Sequence, residues 1–410
     1  MHESGFEAVT RLADAREQLR ARCEPHGRTT ARDTAEAVGR ILAESVDAGR
    51  AVPHYDRAAM DGYAVRAQDT FDAGDRSPVL LEASDDAVSP GEAASVHTGS
   101  AIPDGADAVV MVEETEARDG EVFVYDAVAG GENVAPAGED VEDGQHLFDA
   151  GHRLRPSDLA LLRATGRETV EVVERPRVSV LPTGEELVAA GEEPGPGEIV
   201  ETNGLLVSTL TEQWGGDPTY RDVVTDDEDA LRAAIEADTD HAVVVTTGGS
   251  SVGERDLIAD VVADIGEVVV HGVAITPGHP VGFGVVDDTP VLMLPGYPVS
   301  CLVNAVQFLR PAIAWRSGTE PRAHPTVRAR LSDKLRSSPG ERTFARVQIH
   351  ETEGEDGDEE SLPTAEPVRV SGAGVMSSVA LADGWVVIPE SREGLPAGET
   401  VAVQEWERHC

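Results

Sequence analysis

The sequence predicts a multidomain α/β plus β protein whose central domain holds a mostly parallel sheet. From Pro176 to Trp315, apolar β-branched runs such as HAVVV alternate with helical patterns such as DEDALRAAIEA. This βαβ order is typical of a parallel sheet covered by helices. Short alternating runs separated by Gly, Pro and Asp fill residues 51–146 and return after Gly318. They predict an inserted β domain and a C-terminal β domain of barrel or small-sandwich type.

The remaining segments predict helices between these regions. Ser4 and Glu7 fit a capping box ahead of apolar residues at helical spacing, which predicts an N-terminal helix. A second helical pattern covers residues 34–43, and PSDLALLRATG predicts a helix that ends at Gly166. We expect four domains: an α/β domain (1–21 and 176–318), an elongated helical and β linking domain (22–50 and 147–175), the inserted β domain (51–146) and the C-terminal β domain (319–410).

The chain is strongly acidic, and its basic residues are almost all arginine. The 410 residues carry 76 acidic and 33 basic side chains, a net charge of −43, and Lys334 is the only lysine. No basic surface is available for nucleic acid or for a membrane surface, so we interpret the acidity as adaptation to molar salt. Three cysteines show no metal-ligand spacing, and neither a membrane span nor a signal peptide is recognisable. We expect a cytoplasmic protein.

A glycine-rich segment, TTGGSSVGERD at Thr246–Asp256, follows a predicted strand and opens a predicted helix. Glycines let backbone N–H groups point at one centre, and the helix N-terminus adds positive potential, so the turn predicts a phosphate site. Asp256 could hold a divalent cation shared with that phosphate. The alternative is an ordinary turn with Asp256 as a helix-start carboxylate. The candidate binding residues of the turn are Thr247, Gly248, Gly249, Ser250, Ser251 and Gly253.

Two further carboxylates follow strands of the same predicted sheet. Glu186 lies in PTGEEL after the first strand, and Asp226 lies in VVTDDEDA after another. Because parallel strands end at one edge of a sheet, we expect Glu186 near Asp256 and all three carboxylates at that edge. Such a set suggests a metal site or a site that handles an oxyanion. In a chain this acidic, each carboxylate taken alone could equally be plain surface.

Two proline-glycine turns flank two apolar strands. PGHP spans Pro277–Pro280 and PGYP spans Pro295–Pro298. Proline fixes φ and glycine allows close approach, so together they predict a stiff wall for a flat ligand. Either turn alone would be interpreted as an ordinary hairpin turn. In the inserted β domain, three polar turns carry Asp61, Thr98 and Asp140.

Together these motifs resemble one protein family. MDGYAV, TGSAIPDGADAVVMVE, PAGEDV, PTGEEL, TTGGSSVGERD, PGHP and LPGYPVS are similar to the motifs of the molybdopterin molybdenumtransferases, the family of MoeA proteins and the gephyrin E domain. The resemblance implies insertion of molybdate into adenylylated molybdopterin, with release of AMP and help from a divalent cation such as Mg²⁺. It also implies a homodimer whose pocket lies between the α/β domain of one subunit and the inserted β domain of its partner. Other proteins of molybdenum cofactor biosynthesis are possible partners.

The family's functional positions carry over to particular residues here. The resemblance implies catalytic roles for Asp61, Asp140, Glu186, Asp226 and Asp256, with metal binding by the last three. It implies ligand binding by Thr98, His279, Pro295, Gly296 and Pro298, alongside the residues of the glycine turn.

The chain departs from the family pattern in three places. The family usually has Asn and Ser where this chain has Arg57 and Ala58. It commonly has lysines where this chain has Thr276 and His279. The residue closest to an expected pocket serine is Ala373. The lysine loss matters most, because a phosphate or molybdate needs cationic partners. The lysine loss has three interpretations. The lysines were replaced as the composition of the chain drifted and the function is retained, the protein is a tungstate-specific insertase, or it is a catalytically weak carrier of molybdopterin. Adenylyl transfer is disfavoured by the two extra β domains.

Overall fold

The chain forms two compact units. The computed structural model describes residues 9–248, 257–351, 362–368 and 372–407. One unit comprises residues 29–172, and the other comprises residues 1–28 with 173–410. The finer division into four domains stays a prediction.

In chain order, the first helix is α1 (Leu12–Arg20). The unit of residues 29–172 then contributes the strands β1 (Thr29–Asp33), β2 (Val46–Asp47), β3 (Arg57–Ala58), β4 (Gly62–Val65), β5 (Val79–Ser84), β6 (Glu92–Val96), β7 (Ala108–Met111), β8 (Thr115–Arg118), β9 (Glu121–Val124), β10 (Val134–Ala135), β11 (His146–Phe148) and β12 (Thr169–Val173). Its helix is α2 (Pro156–Ala164), and short 3₁₀ turns cover Thr34–Glu36, Ala67–Asp69 and Val112–Glu114.

A six-stranded sheet forms the core of this unit. Its strand order is β7-β4-β6-β5-β9-β8, and only the β5–β6 pair in it is parallel. Valines 110, 122 and 124 are fully buried in one cluster, because alternate side chains of each strand point inward. The predicted β character of residues 51–146 is therefore confirmed.

One of the predicted helices in this unit is wrong. Residues 34–43 form only the 3₁₀ turn Thr34–Glu36, after which Ile41 pairs with Arg153 and Leu42 pairs with Val172. Gly39 has φ +73° and its N–H donates to the Leu154 carbonyl at 2.8 Å, so tertiary backbone pairing replaces the helical bonds. The helix predicted from PSDLALLRATG is confirmed as α2, and Arg155 occupies its N-cap.

The other unit contains the remaining elements. Its strands are β13 (Arg177–Pro182), β14 (Leu187–Val188), β15 (Ile199–Val200), β16 (Asp217–Tyr220), β17 (Val243–Thr247), β18 (Glu267–His271), β19 (Ile275–Thr276), β20 (Gly282–Val286), β21 (Thr289–Leu294), β22 (Thr326–Leu331), β23 (Leu335–Arg336), β24 (Arg342–His350), β25 (Thr364–Pro367), β26 (Gly384–Ile388), β27 (Gly394–Leu395) and β28 (Thr400–Gln404). Its further helices are α3 (Asn203–Gln213), α4 (Glu228–Ala237), α5 (Leu257–Ile265), α6 (Pro298–Asn304), a π-helical turn (Ala305–Leu309), α7 (Arg310–Arg316) and α8 (Ser377–Ala380).

The predicted mostly parallel sheet is confirmed. Its order is β16-β13-β17-β21-β20-β18, with β16, β13, β17 and β21 parallel and with antiparallel pairing of β20 to both β21 and β18. Val243 and Val245 of β17 enter one core cluster, whereas Val244 enters the other with Leu231 and Ile258. Both faces of the sheet are therefore covered, which explains why its central strands are continuous apolar runs.

The C-terminal β domain closes on itself. Its strand order is β19-β24-β25-β22-β28-β26, and an additional β24–β26 pairing joins the sheet into a barrel-like arrangement. The barrel-like alternative of the sequence prediction is the correct one.

The N-terminal helix begins later than predicted. Ser4 and Glu7 lie outside the described residues, and α1 starts after Arg11. Thr10 instead pairs with Val273, and its N–H donates to the Gly272 carbonyl at 3.0 Å. Among the described helices, none is long and apolar enough to cross a bilayer.

Candidate active site

Three turns meet at the carboxyl edge of the parallel sheet. Pro182, Thr247 and Leu294 are neighbours in register at the ends of β13, β17 and β21. The Gly248 N–H donates to the Leu294 carbonyl at 3.1 Å, which fixes the start of the glycine turn on the adjacent strand. The motifs PTGEEL and PGYP and the start of the glycine turn, residues 246–248, are thus brought together, as predicted for this fold.

Gly248 is required by the close packing of these turns. Its φ is +152°, and a Cβ built there would lie 2.0 Å from the Thr183 carbonyl oxygen. No side chain fits there unless the backbone moves. Glycine at this position therefore allows the two turns to pack closely. The other predicted residues of the turn, Gly249, Ser250, Ser251, Gly253 and Asp256, lie outside the described residues.

Glu186 and Asp226 form a like-charged pair beside this edge. The Val224 N–H donates to the Pro182 carbonyl at 2.8 Å, which holds the loop of Asp226 against the end of β13. Burial and the nearby Glu186 carboxylate raise the pKa of Asp226, and the backbone N–H of Glu185 partly opposes them. The Glu186 carboxyl folds back on Gly184, whose added Cβ would lie 2.8–3.0 Å from it.

The chemistry of this pair fits a divalent cation. Asp226 Oδ1 is buried and has no hydrogen-bond partner in the described part of the chain. Carboxylate oxygens are the donors that Mg²⁺ and similar hard cations take, and a cation would relieve the repulsion between the two groups. Within residues 9–248, 257–351, 362–368 and 372–407, no group of three His, Cys, Asp or Glu side chains could hold a metal ion. The predicted third ligand, Asp256, is outside those ranges.

Several other polar atoms at this edge are buried and unpaired. The side-chain oxygens of Thr183, Thr247 and Asn203 lack partners among the described residues, and these three side chains are at most 8% exposed. Buried polar groups are nearly always hydrogen-bonded in folded proteins. Their concentration where three strands end indicates a site that a polar ligand completes.

The PGYP turn opens a helix and is held by an asparagine. Pro298 is the first residue of α6, a position where proline's missing N–H is tolerated. The Asn203 Nδ2 donates to the Gly296 carbonyl at 2.7 Å, while Pro295 is buried and Tyr297 is 66% exposed. Asn203 was missed in the sequence, where an asparagine at the start of α3 resembles an ordinary helix-start residue.

The PGHP turn lies at the same edge of the sheet. It precedes β20, whose Gly282 pairs with Met293 near the end of β21. Gly278 has φ +114°, and its carbonyl accepts a 2.9 Å bond from Asn304 Nδ2 at the end of α6. One short helix therefore begins at one proline turn and anchors the other. His279 lies in this turn, and its carbonyl accepts from the Val273 N–H at 3.0 Å.

Two arginines lie on β24, the strand whose start pairs with β19 just before the PGHP turn. Thr276, at one lysine position, donates its hydroxyl to Glu341. Arg342 pairs in register with Ile275 and contacts Glu390 at 2.9 Å. Arg346, on the same face of β24, has a buried Nε with no partner in the described ranges, and burial lowers the pKa of its guanidinium. The sequence analysis missed Arg346, because nothing in its local pattern distinguishes it.

Ala373 lies next to the PGYP turn through its backbone. Its carbonyl accepts a 3.0 Å bond from the Val299 N–H in the first turn of α6. A Cβ added to the neighbouring Gly374 would lie 3.3 Å from the Tyr297 ring. The loop that carries the departure from the expected serine thus packs against the proline turn.

In the unit of residues 29–172, Asp61 and Thr98 form a hydrogen-bonded pair. The Thr98 backbone N–H and hydroxyl donate to Asp61 Oδ1 at 2.6 and 2.8 Å. These bonds hold the pKa of the exposed Asp61 carboxyl below its usual value. The pair therefore presents an ionised carboxylate of fixed orientation.

Asp140 lies on a neighbouring segment of the same unit. Its N–H donates to the Val52 carbonyl at 3.0 Å, and the Gly138 N–H donates to the Pro53 carbonyl at 2.8 Å. Arg57, one of the departures, contacts Glu139 at 3.3 Å. The backbone thus joins the Asp140 segment to the segment that leads into Asp61, while no bond between the Asp140 and Asp61 side chains is present.

The sequence matches known proteins over most of its length. Residues 10–166 match the MoeA N-terminal region (domains I and II), residues 179–315 match a probable molybdopterin-binding domain, and residues 328–406 match the MoeA C-terminal region (domain IV). A putative molybdopterin biosynthesis protein of Methanocaldococcus jannaschii is 35% identical over 381 residues, covering 90% of each chain. The molybdopterin molybdenumtransferase of Bacillus subtilis is 32% identical over 384 residues, covering 90% of this chain and 87% of that protein.

A solved structure has the same fold. The molybdopterin biosynthesis MoeA protein of Pyrococcus horikoshii superposes with a TM-score of 0.82 at 36% identity, covering 97% of this chain and 99% of that one. The chain therefore belongs to the MoeA family of molybdopterin molybdenumtransferases, enzymes of molybdenum cofactor biosynthesis.

Proposed function

We propose that the protein inserts molybdate into adenylylated molybdopterin and releases AMP. The observation that carries this proposal is the carboxyl edge of the parallel sheet. There, a like-charged Glu186–Asp226 pair and unpaired buried oxygens of Thr183, Thr247 and Asn203 surround tight glycine and proline turns. A polyanionic, flat and polar substrate with a divalent cation matches that set of groups.

The turns bind the organic part of the substrate. The Gly248 backbone, packed against Thr183 and Gly296, would direct the glycine turn at the end of β17 toward a phosphate. Pro295 and Pro298 give the pterin a stiff wall, because neither φ angle can relax. The glycine turn, including Gly249, Ser250, Ser251 and Gly253, would supply N–H and hydroxyl donors to the phosphate.

The carboxylates hold the charge at the reacting bond. Glu186 and Asp226, with Asp256, would hold a divalent cation such as Mg²⁺. When bound, that cation supplies the positive charge that polarises the phosphoanhydride between molybdopterin and AMP. Asp226 must be ionised to serve as a ligand. Because its pKa is raised, cation binding releases a proton from Asp226 when the pH lies below that pKa.

The Asp61–Thr98 pair and Asp140 would complete the site across a homodimer. An ionised Asp61, oriented by two bonds from Thr98, can accept a hydrogen bond from hydrogen molybdate and so position that oxyanion as AMP leaves. Arg346, whose Nε has no partner in the described part of the chain, would supply a cation in place of a lost lysine. Its presence favours drift with retained function over loss of the lysines' role.

The test is AMP release from adenylylated molybdopterin in multimolar KCl, with molybdate and tungstate compared. Release with molybdate supports the proposal, and release with tungstate alone makes the enzyme a tungstate insertase. Multimolar salt is chosen because we attribute the net charge of −43 to a saline cytoplasm. Sedimentation in the same buffer measures the proposed dimer.

One observation favours a second candidate, a carrier of molybdopterin. At one of the two lysine positions, the Thr276 side chain carries no positive charge for an anion, and its hydroxyl already donates to Glu341. Tight molybdopterin binding without AMP release, with either oxyanion, would establish the carrier and refute the insertase.

A further inference from the structure

We propose that Asn203 selects the ligand by accepting a hydrogen bond from the pyrimidine edge of the pterin. The inference rests on the proposed function, because it names the side chain through which the same site distinguishes pterins from other flat heterocycles.

The orientation of the Asn203 amide is fixed. Nδ2 donates to the Gly296 carbonyl at 2.7 Å, and a carbonyl can only accept. The nitrogen must therefore face Gly296, which leaves Oδ1 on the other side of the amide. An amide locked in this way presents an acceptor at one position and cannot reverse to present a donor.

That acceptor is buried and unused. Asn203 is 8% exposed, and its Oδ1 has no hydrogen-bond partner among residues 9–248, 257–351, 362–368 and 372–407. Leaving a buried acceptor unpaired is unfavourable, and a ligand donor that reaches it removes the penalty. Gly296 is exposed, so the amide lies directly beneath the surface of the PGYP turn.

The start of α3 is held firmly. Glu201, 5% exposed, accepts from the Gly204 N–H at 2.6 Å and from the Tyr220 hydroxyl. A Cβ at Gly204 would lie 2.8 Å from the Pro182 ring, so the helix packs on the end of β13. Asn203 is therefore built on a rigid element, as recognition groups need to be.

The donor pattern of a pterin suits this acceptor. The pyrimidine edge of the ring carries a 2-amino group and a ring N3–H, both donors, beside a 4-oxo acceptor. Oδ1 pairs with either donor and rejects an oxygen in its place, because two facing acceptors would both stay unpaired. Selection against such an oxygen is the expected signature.

The experiment measures binding of three probes to the full-length protein in multimolar KCl. The probes are 6-hydroxymethylpterin, 6-hydroxymethyllumazine (2-oxo for 2-amino) and 3-methyl-6-hydroxymethylpterin. The wild type should bind the pterin about tenfold tighter than at least one analogue, the value of one hydrogen bond. In N203A that preference should fall to within about twofold, while the control T209A, an exposed change on the same helix, should keep it.

A second variant guards against a folding defect. N203D keeps an acceptor but places a carboxylate against the Gly296 carbonyl, so it should bind all probes more weakly and retain the preference. If N203A unfolds, loss of the preference in N203D refutes the proposal. Equal weakening of all probes in N203A, with the preference intact, shows a purely structural role. Wild type that binds the pterin without preference refutes only this inference, whereas the proposed function is refuted by the absence of AMP release from adenylylated molybdopterin.

Discussion

Two aspartates, one in each unit, have opposite environments. Asp61 is exposed, accepts two bonds from Thr98 and has a lowered pKa. Asp226 is partly buried, faces Glu186, has an unpaired oxygen and has a raised pKa. The first carboxylate is stabilised as an anion by the fold itself. The second lacks a counter-charge among the described residues, which is why we propose that a cation completes it.

The contrast separates residues that orient from residues that bind a cation. A carboxylate already satisfied by hydrogen bonds gains little from a metal ion, whereas a partly buried carboxylate that faces a second negative charge gains much. We therefore expect substitutions at Asp226 to change metal dependence and substitutions around Asp61 to change orientation. The following predictions test that division.

The largest expected effect is that of Asp226→Asn. The amide keeps the shape but removes the charge that would hold a divalent cation, so AMP release should fall by about 10²-fold. The thermal midpoint of the metal-free protein should not fall, because like-charge repulsion is removed. The matched control is Asp227→Asn: Asp227 caps α4 through the Ala230 N–H, and asparagine caps equally well. Equal losses in both variants would contradict the assignment.

Gly248→Ala should cause the largest loss of stability. The Cβ would lie 2.0 Å from the Thr183 carbonyl oxygen at φ +152°, so we expect unfolding free energy to fall by about 3 kcal/mol. Gly144→Ala in the other unit has φ +75° and nothing within 4 Å, so only about 1–2 kcal/mol should be lost there. Denaturant titration measures both, and a Gly248 loss no greater than the Gly144 loss would refute the close-packing argument.

Thr98→Val should have a moderate effect confined to activity. It removes the 2.8 Å hydroxyl bond to Asp61 and keeps the 2.6 Å backbone bond, so AMP release should fall by about tenfold, the value of one hydrogen bond to a charged group. Thr115→Val removes a hydroxyl bond to the Val112 carbonyl in the same unit and should leave activity unchanged. A tenfold loss in both variants would show a general structural effect.

The smallest expected effect is a difference of sign in the pH dependence of stability. The lowered pKa of Asp61 adds stability above the ordinary aspartate pKa of about 3.9, and that stability is lost as pH falls through the folded value. The raised pKa of Asp226 adds stability at acid pH that is lost as pH rises through its folded value. At pH 7 without metal, Asp61→Asn should therefore lower the thermal midpoint and Asp226→Asn should raise it. Thermal-midpoint shifts of the same sign in the two variants would contradict the opposite environments assigned to Asp61 and Asp226.

The local pattern of the sequence determined the order of elements in the α/β region and which turns lie at its candidate ligand edge. Apolar runs ending in PTGEEL, TTGG and PGYP predicted a parallel sheet with its ligand edge, because register in such a sheet brings strand ends together. Glu186 and Asp226 could be placed as neighbours for the same reason. Local propensity failed at residues 34–43, where pairing with residues 153 and 172 replaces a helix, since no local signal reports a distant strand.

Only the tertiary structure decided which groups satisfy one another. No local sequence pattern marks Asn203 or Asn304. Their side chains nevertheless donate hydrogen bonds to the carbonyls of Gly296 and Gly278, which are 93 and 26 residues away in the sequence. Asp61 and Asp226 carry the same side chain, and their opposite pKa shifts arise from Thr98 on one side and from burial beside Glu186 on the other. Sequence fixes the chemical groups that are available, whereas desolvation and hydrogen-bond partners exist only after distant segments pack.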